Sequence, residues 1–284
     1  MKKIVICGAS GFVGSSLVTY FNTKNHNVIT IHRDDLSNMD KLINKLNNCD
    51  VLINLSGANI MGRWTDSYKK LLYSSRIDTT KALVQALKKC TKAPSLFIST
   101  SAIGIYKNDM PYDETTENLN NDFLANLCKD WEKEALNVNA IDTRVAIFRF
   151  GVVLGKEGGA LSKMLLPFKL GLGGTIGNGE QSFSFIHIDD LVSAYQFLID
   201  NDTLFGIFNL CSEQPTTNRG LTKALGKSLN RPTILPVPQF VLNLLLSEGA
   251  SILTDGQKVL PKNLLKNGFK FQYTSIEDAI ESLV

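Results

Sequence analysis

The stretch Lys3-Ile4-Val5-Ile6-Cys7-Gly8-Ala9-Ser10-Gly11-Phe12-Val13-Gly14 decides the fold. The unbroken apolar run from Ile4 to Cys7 suits a strand buried on both faces of a parallel sheet. A glycine ends it, and from Phe12 to Thr23 the apolar positions recur at helical spacing. Between strand and helix the glycines Gly8, Gly11 and Gly14 form a GxxGxxG loop. The first permits a tight turn, the second lets a diphosphate approach the backbone, and the third lets helix and strand pack closely. The helix N-terminus adds free amides and the positive end of its dipole. An ordinary glycine turn is the structural alternative, but the strand before and the helix after favour nucleotide binding, with Ser10, Phe12 and Val13 in the same loop.

Outward from this unit, apolar β-branched runs recur at Val28 to Ile31, Val51 to Leu55, Ser95 to Ser99, Thr143 to Phe150 and Ile207 to Leu210. Helical periodicity fills Phe12 to Thr23, Asp66 to Lys89, Phe123 to Asn137 and Asp189 to Asp200. The alternation predicts an α/β fold with a doubly wound parallel sheet. Between Arg33 and Asp50 there is room only for a helix such as Asp40 to Leu46, so the usual third strand is expected to be missing or very short. Beyond residue 150 the chain turns glycine-rich from Gly151 to Gly179, and all eight prolines except Pro94 and Pro111 lie past that point. The expected organisation is a dinucleotide-binding domain over 1–210 with insertions at about 155–185. A smaller C-terminal substrate lobe over 211–284 follows, including a segment at 235–284.

Composition excludes several classes. The 284 residues carry 30 Lys plus Arg against 27 Asp plus Glu, with 44% hydrophobic and 20% charged residues. Neither disorder nor a basic nucleic-acid footprint fits that balance. No signal peptide is expected ahead of the first strand, and the apolar segment Phe240 to Leu246 is far short of the roughly 20 residues that cross a bilayer. The five cysteines are odd in number, widely spaced and without a CxxC pair, and only three histidines are present. A reducing, cytoplasmic setting is expected, with no metal site and no membrane partner.

The second strand ends at Ile31-His32-Arg33. NAD binding usually places a carboxylate there for the ribose hydroxyls, whereas an arginine can pair with a 2′-phosphate. NADP(H) is therefore preferred to NAD, with His32 and Arg33 at the site, although Asp34 and Asp35 keep NAD open. The third strand runs into Leu55-Ser56-Gly57, small enough for a ribose to lie against backbone. Arg76 in the next helix is a candidate partner for cofactor or substrate oxygens, or a helix-surface ion pair.

Several of these segments together resemble the extended short-chain dehydrogenase/reductase superfamily: Gly8 to Gly14, Asp50 to Ala58, Ser99-Thr100-Ser101-Ala102 leading to Tyr106, Arg149 to Gly155, and Phe185 to Leu191. Leu165 to Gly174, Ile176 to Gly179 and Gly256 to Pro261 are similar to an atypical subfamily of nucleoside-diphosphate-sugar epimerases or NADP-dependent oxidoreductases with a small C-terminal domain. The resemblance implies a Rossmann-like domain and hydride transfer with a carbonyl or carbinol, on a nucleotide sugar among other substrates, and it allows a homodimer. It implies Ser101 as the hydroxyl that orients the substrate oxygen, Thr100 and His187 in the cleft, and Val152 and Val153 by the nicotinamide. Asp189 alone reads as a helix N-cap. One departure matters. The superfamily's YxxxK pair is absent, because whether Phe123 or Leu124 takes the tyrosine's place, Leu127 or Cys128 takes the lysine's. Tyr106 is the nearest other phenol, or an aromatic packed under the loop. The two functions left open are an oxidoreductase or epimerase-like enzyme, and a catalytically degenerate NADP(H)-binding sensor or scaffold.

Overall fold

A computed structural model of the chain describes residues 1–138 and 143–284. Six parallel strands make the central sheet: β1 (Lys3–Cys7), β2 (Asn27–Ile31), β3 (Val51–Asn54), β4 (Leu96–Ala102), β5 (Arg144–Phe150) and β6 (Gly206–Leu210). Their order across the sheet is β6-β5-β4-β3-β1-β2. The chain winds outward from β1 to β2 and then returns to the other side of β1 with β3. That reversal opens a crevice at the carboxyl ends of the strands, where α/β sheets of this kind bind ligands. β2 is the sheet edge, as the short Arg33–Asp50 interval predicted.

The helices that bear on the site are α1 (Phe12–Thr23), α2 (Arg33–Leu36), α3 (Met39–Leu46), α4 (Asp66–Leu87), α5 (Phe123–Leu136), α6 (Gly159–Lys169), α7 (Ile188–Asp200), α8 (Asn218–Leu229) and α9 (Gln239–Leu246). Alternate strand residues go to opposite faces, so Ile4, Ile6, Ile53 and Phe148 pack under α1 and α7, through Leu17, Phe21 and Leu198. Val5, Leu52, Phe97 and Ile147 pack on the other face, under α3 and α4, with Leu42, Leu46, Leu83 and Leu87. With both faces covered, the strands read as continuous apolar runs.

One expectation changes. β4 extends three residues past Ser99, so Thr100, Ser101 and Ala102 lie within the sheet, paired with Phe148, Arg149 and Phe150 of β5. The glycine-rich stretch after residue 150 contains regular structure. Val152–Gly155 pairs in parallel with Phe185–His187, and α6 follows, anchored by buried Leu161 and Phe168. Its glycines are sites of close approach. A Cβ at Gly173 would fall 2.4 Å from the Phe168 ring, and one at Gly174 would fall 1.7 Å from the Leu235 carbonyl.

The C-terminal residues are tied to the sheet domain. Lys258–Val259 pairs with Pro111–Tyr112, and the Asp190 carboxylate accepts from the amides of Gln272 and Tyr273 at 2.7 and 2.9 Å. The last helix, Ile276–Leu283, buries Ile276 and Ile280 against α6 and α8. No helix of the described residues is long and apolar enough to cross a membrane.

Candidate functional site

The crevice floor is the β1–α1 loop. Gly8 has φ +86°, and a Cβ there would lie 2.8 Å from the Leu55 carbonyl, so the position demands glycine on both counts. At Gly14 a Cβ would meet the Gly8 carbonyl oxygen at 2.3 Å, which is the helix–strand contact expected of the third glycine. Gly11 meets only the Gly8 oxygen, at 3.5 Å, and its outer side is open. Gly11 is also the N-cap of α1, without a capping side chain or an acid in the first turn. The first-turn amides and the dipole are therefore offered to an anion instead of being closed off internally. The Phe12 ring turns away from them and packs on the Gly155–Gly159 turn, where Cβ atoms at Gly155 and Gly158 would fall 2.3 and 2.4 Å from it. It locks the loop to that turn, and Val13 packs into the core.

At the end of β2, Asp35 faces inward. Its Oδ2 accepts from Lys45 Nζ at 2.6 Å and from the His32 amide at 2.7 Å. The Lys45 bond and then the His32 amide hold the Asp35 carboxyl below the usual carboxylate range. The Asp35 carboxylate is thus already paired inside the chain. Arg33 is exposed and makes no ion pair or side-chain hydrogen bond among the described residues, while His32 Nε2 lies 3.1 Å from Thr30 Oγ1. Asp34 is likewise exposed.

The third wall is the β3 end. Asn54 donates to Thr80 at 2.8 Å, and its oxygen accepts from the Ser56 amide at 3.2 Å. This small network sets the turn through Leu55, Ser56 and Gly57. Arg76 lies directly under it, with its guanidinium carbon 2.9 Å from where a Gly57 Cβ would be. The side chain donates to the Leu72 and Ala58 carbonyls, both at 3.0 Å, and its charge lies 5.3 Å from the Trp131 ring. Burial pushes its pKa down, and no carboxylate pairs with it among the described residues. The expected alternative of a helix-surface ion pair is therefore not what the structure has.

Behind this wall lies a closed polar network. Ser101 Oγ donates to Glu132 Oε1 at 2.6 Å. Arg149 grips both Glu132 oxygens at 2.8 Å and donates to Tyr106 Oη at 2.7 Å. Tyr106 in turn donates to Asn209 Oδ1 at 3.0 Å. Ser101, Tyr106 and Arg149 are 1, 0 and 3% exposed. Burial pushes the Tyr106 phenol up to about 12. The two residues expected to handle the substrate oxygen and proton face this interior network, because the parallel register sets Ser101 beside Arg149 on the face covered by α5. Glu132 was not foreseen. Its signal was legible, as a carboxylate standing in the apolar stripe Ala125, Cys128, Glu132, Ala135 at helical spacing.

His187 is 2% exposed and caps α7, its Nδ1 accepting from the Asp189 amide at 3.1 Å. Its Nε2 lies 3.2 Å from Ser282 Oγ, and Tyr273 stacks on the ring at 3.8 Å. Burial lowers its pKa, so the ring is a neutral structural link. The N-cap is therefore His187 and not Asp189, and His187 does not open to a cleft. Thr100 is 9% exposed, and Val152 and Val153 are half-buried beside Phe185 and Ile186. A cavity of about 270 Å³ lies between Ile176–Asn178, Gln181, Gln239 and Thr254. No cluster of metal-ligating residues exists among the described residues.

Comparison with known proteins gives the crevice its family. The profile of the NAD dependent epimerase/dehydratase family matches residues 4–211. The chain belongs to that family. Residues 237–283 match a second profile, the domain of unknown function DUF1731. "Epimerase family protein SA0724" of Staphylococcus aureus is 37% identical over 100% of this chain and 99% of its own length. Mouse "Epimerase family protein SDR39U1" is 34% identical over 99% of each. The crystal structure of human SDR39U1 with NADPH superposes with a TM-score of 0.93 at 31% identity, covering 99% of this chain and 98% of that one. A nucleoside-diphosphate sugar epimerase from Corynebacterium glutamicum superposes at 0.81 with 30% identity, covering 99% of this chain and 58% of that one.

Within this epimerase/dehydratase chain, the positions where the resemblance placed a catalytic pair are apolar. Leu124 packs on Gly104, where a Cβ would lie 2.5 Å from its Cδ2. The Cys128 thiol is buried against Ser101, and burial raises its pKa to about 12. Phe123 instead stacks edge-on against Trp64 at 5.3 Å. Leu124 and Cys128 therefore face the Ser101 strand, and neither exchanges a proton near neutral pH.

Proposed function

We propose that the chain binds NADP(H) and acts as an oxidoreductase or epimerase-like enzyme on a carbonyl or carbinol substrate, with a nucleotide sugar as one substrate class. The observation that carries this reading is the open glycine cradle at β1–α1 combined with Arg33, an exposed cation beside an Asp35 already consumed internally. The NADPH in the human relative's crystal structure supports it. The amides of Gly11, Phe12 and Val13 would hold the diphosphate, with Ser10 alongside and Gly8 and Gly14 shaping the loop. Arg33, beside His32, would hold the 2′-phosphate. Leu55, Ser56 and Gly57 would bed the ribose over Arg76, and Val152 and Val153 would flank the ring. When bound, the nicotinamide supplies or accepts a hydride at the substrate carbon.

The chain's own part in the proton step is unusual. Ser101 and Tyr106 donate to Glu132 and Asn209, and Leu124 and Cys128 carry no usable proton, so the substrate oxygen exchanges its proton with water in the crevice. The same burial favours a second reading, a binding protein without turnover. The five cysteines are all free thiols, which suits a cytoplasmic setting.

Titration with both cofactors tests the reading. NADPH should bind more tightly than NADH, and Arg33→Ala should weaken NADPH alone by about 1.5–3 kcal/mol, the worth of a charge-assisted contact. Equal affinity for the two cofactors would remove the NADP(H) assignment. NADPH oxidation with a panel of aldehydes, ketones and sugar nucleotides separates the two functions: tight binding with no turnover selects the second.

A further inference from the structure

The outer face of α6, α9 and the segment before α9 carries none of the residues proposed above to hold the cofactor. α9, Gln239-Phe240-Val241-Leu242-Asn243-Leu244-Leu245-Leu246, is almost wholly apolar and yet buries no residue. Segments 169–177 and 231–239 run side by side: Arg231 Nε donates to the Lys169 carbonyl at 3.0 Å, the Val237 amide to Thr175 at 2.7 Å, and the Gly177 amide to Val237 at 3.0 Å. They join the exposed side chains of the two helices into one surface. Leu166, Leu170, Ile234, Phe240, Leu244 and Leu245 are 62–80% exposed.

Charge indicates what covers it. Between Glu157 and Glu180, and between Glu213 and Glu248, the chain has Lys163, Lys169, Arg219, Lys223, Lys227 and Arg231 and no Asp or Glu. Arg219 is paired with Glu180. The other five cations are exposed, and none has an ion pair among the described residues. α8 leads into the apolar segment through Gly226, whose carbonyl accepts from the Arg231 amide at 2.9 Å. Leucine-rich helices accompanied by five exposed cations that have no ion pair among the described residues suit a partner that is apolar inside and anionic outside. A second copy docked about a two-fold axis would set these cations near their own equivalents.

We propose that this face seats the protein on an anionic lipid bilayer, with α9 and the Leu166–Leu170 side of α6 in the interface and the lysines on the headgroups. This departs from the expectation of no membrane partner, which rested on the absence of a spanning helix; an interfacial helix need not span. The proposal does not depend on NADP(H) chemistry.

Vesicle co-sedimentation tests it, using phosphatidylcholine alone and phosphatidylcholine with about a quarter phosphatidylglycerol, near the anionic share that gives a strongly negative surface. The full chain should sediment with the anionic vesicles, and high salt should release it. The double variants Leu244→Asp/Leu245→Asp and Lys163→Glu/Lys169→Glu should each bind about tenfold or more weakly, since both hydrocarbon burial and headgroup attraction contribute. All four positions are exposed, and unchanged NADPH binding and circular dichroism would show the fold intact. Failure to sediment with anionic vesicles, or sedimentation indifferent to the α9 variant, overturns the proposal. So does a vesicle-free dimer, seen by light scattering, that Leu244→Asp/Leu245→Asp dissolves, because that assigns the face to a second copy.

Discussion

Arg76 underlies a wall of the crevice and Arg149 belongs to the buried network behind it, and their partners differ. Arg149 is 3% exposed and holds Glu132 by two bonds of 2.8 Å, with Tyr106 as a third partner. Arg76 is half-buried, stacks on Trp131 and has only backbone carbonyls as acceptors. The first charge is neutralised inside the protein and does structural work. The second keeps a positive charge with no carboxylate partner among the described residues, under the loop proposed to bed the cofactor. A buried cation by itself therefore says little about function; what accepts from it decides.

Removing the partners should break or sharpen this contrast. Glu132→Ala leaves Arg149 buried and unpaired, at an expected cost of about 3–5 kcal/mol in urea unfolding. Arg76→Leu forfeits two carbonyl bonds and should cost about 1 kcal/mol, while weakening NADPH binding. Equal stability losses would end the distinction between them. Gly14→Ala acts next. Its Cβ would fall 2.3 Å from the Gly8 oxygen and push α1 off the strand. A loss of about 3 kcal/mol in NADPH affinity, a hundredfold and more, is expected by calorimetry; near-normal affinity would show that the loop accommodates a methyl group and that close packing there is dispensable.

The smallest effect concerns pH. Burial lowers the pKa of His187 in the folded state, so the unfolded chain takes up the proton first. Its contribution is complete above the unfolded value of about 6.5 and is lost as pH falls below it. Unfolding free energy should therefore decline on acidification from neutral pH, and His187→Gln should flatten the slope. His26, shifted the same way by burial, leaves a residual slope. A slope untouched by the substitution would mean that the ring titrates alike in the folded and unfolded chain.

How much was legible follows from how local each signal is. The β1–α1 loop was readable because each glycine answers a constraint set by its immediate neighbours: a positive φ at Gly8, open space at Gly11 and helix contact at Gly14. The missing edge strand was readable from chain length alone. Ser101 and Tyr106 were the hardest case, since a hydroxyl at a strand end looks the same whether it faces a substrate or a carboxylate. Their orientation depends on Glu132 and Arg149, which lie far along the chain and meet them only through the β4–β5 register and the packing of α5. The inward turn of Asp35 likewise required Lys45 from the next helix.

The sequence by itself determined the parallel α/β sheet, the nucleotide loop, the cation at the end of β2 and the absence of a tyrosine–lysine pair, because periodicity, glycine spacing and residue identity are properties of adjacent positions. Only the tertiary structure decided which polar groups are spent and which are free. It closed Ser101, Tyr106 and His187 into internal hydrogen bonds, left Arg76 without a carboxylate among the described residues, and brought two segments without acids together beside an apolar face. The physical reason is that a buried polar group must find a partner, and that partner is chosen by three-dimensional proximity, which residue order encodes only through the fold.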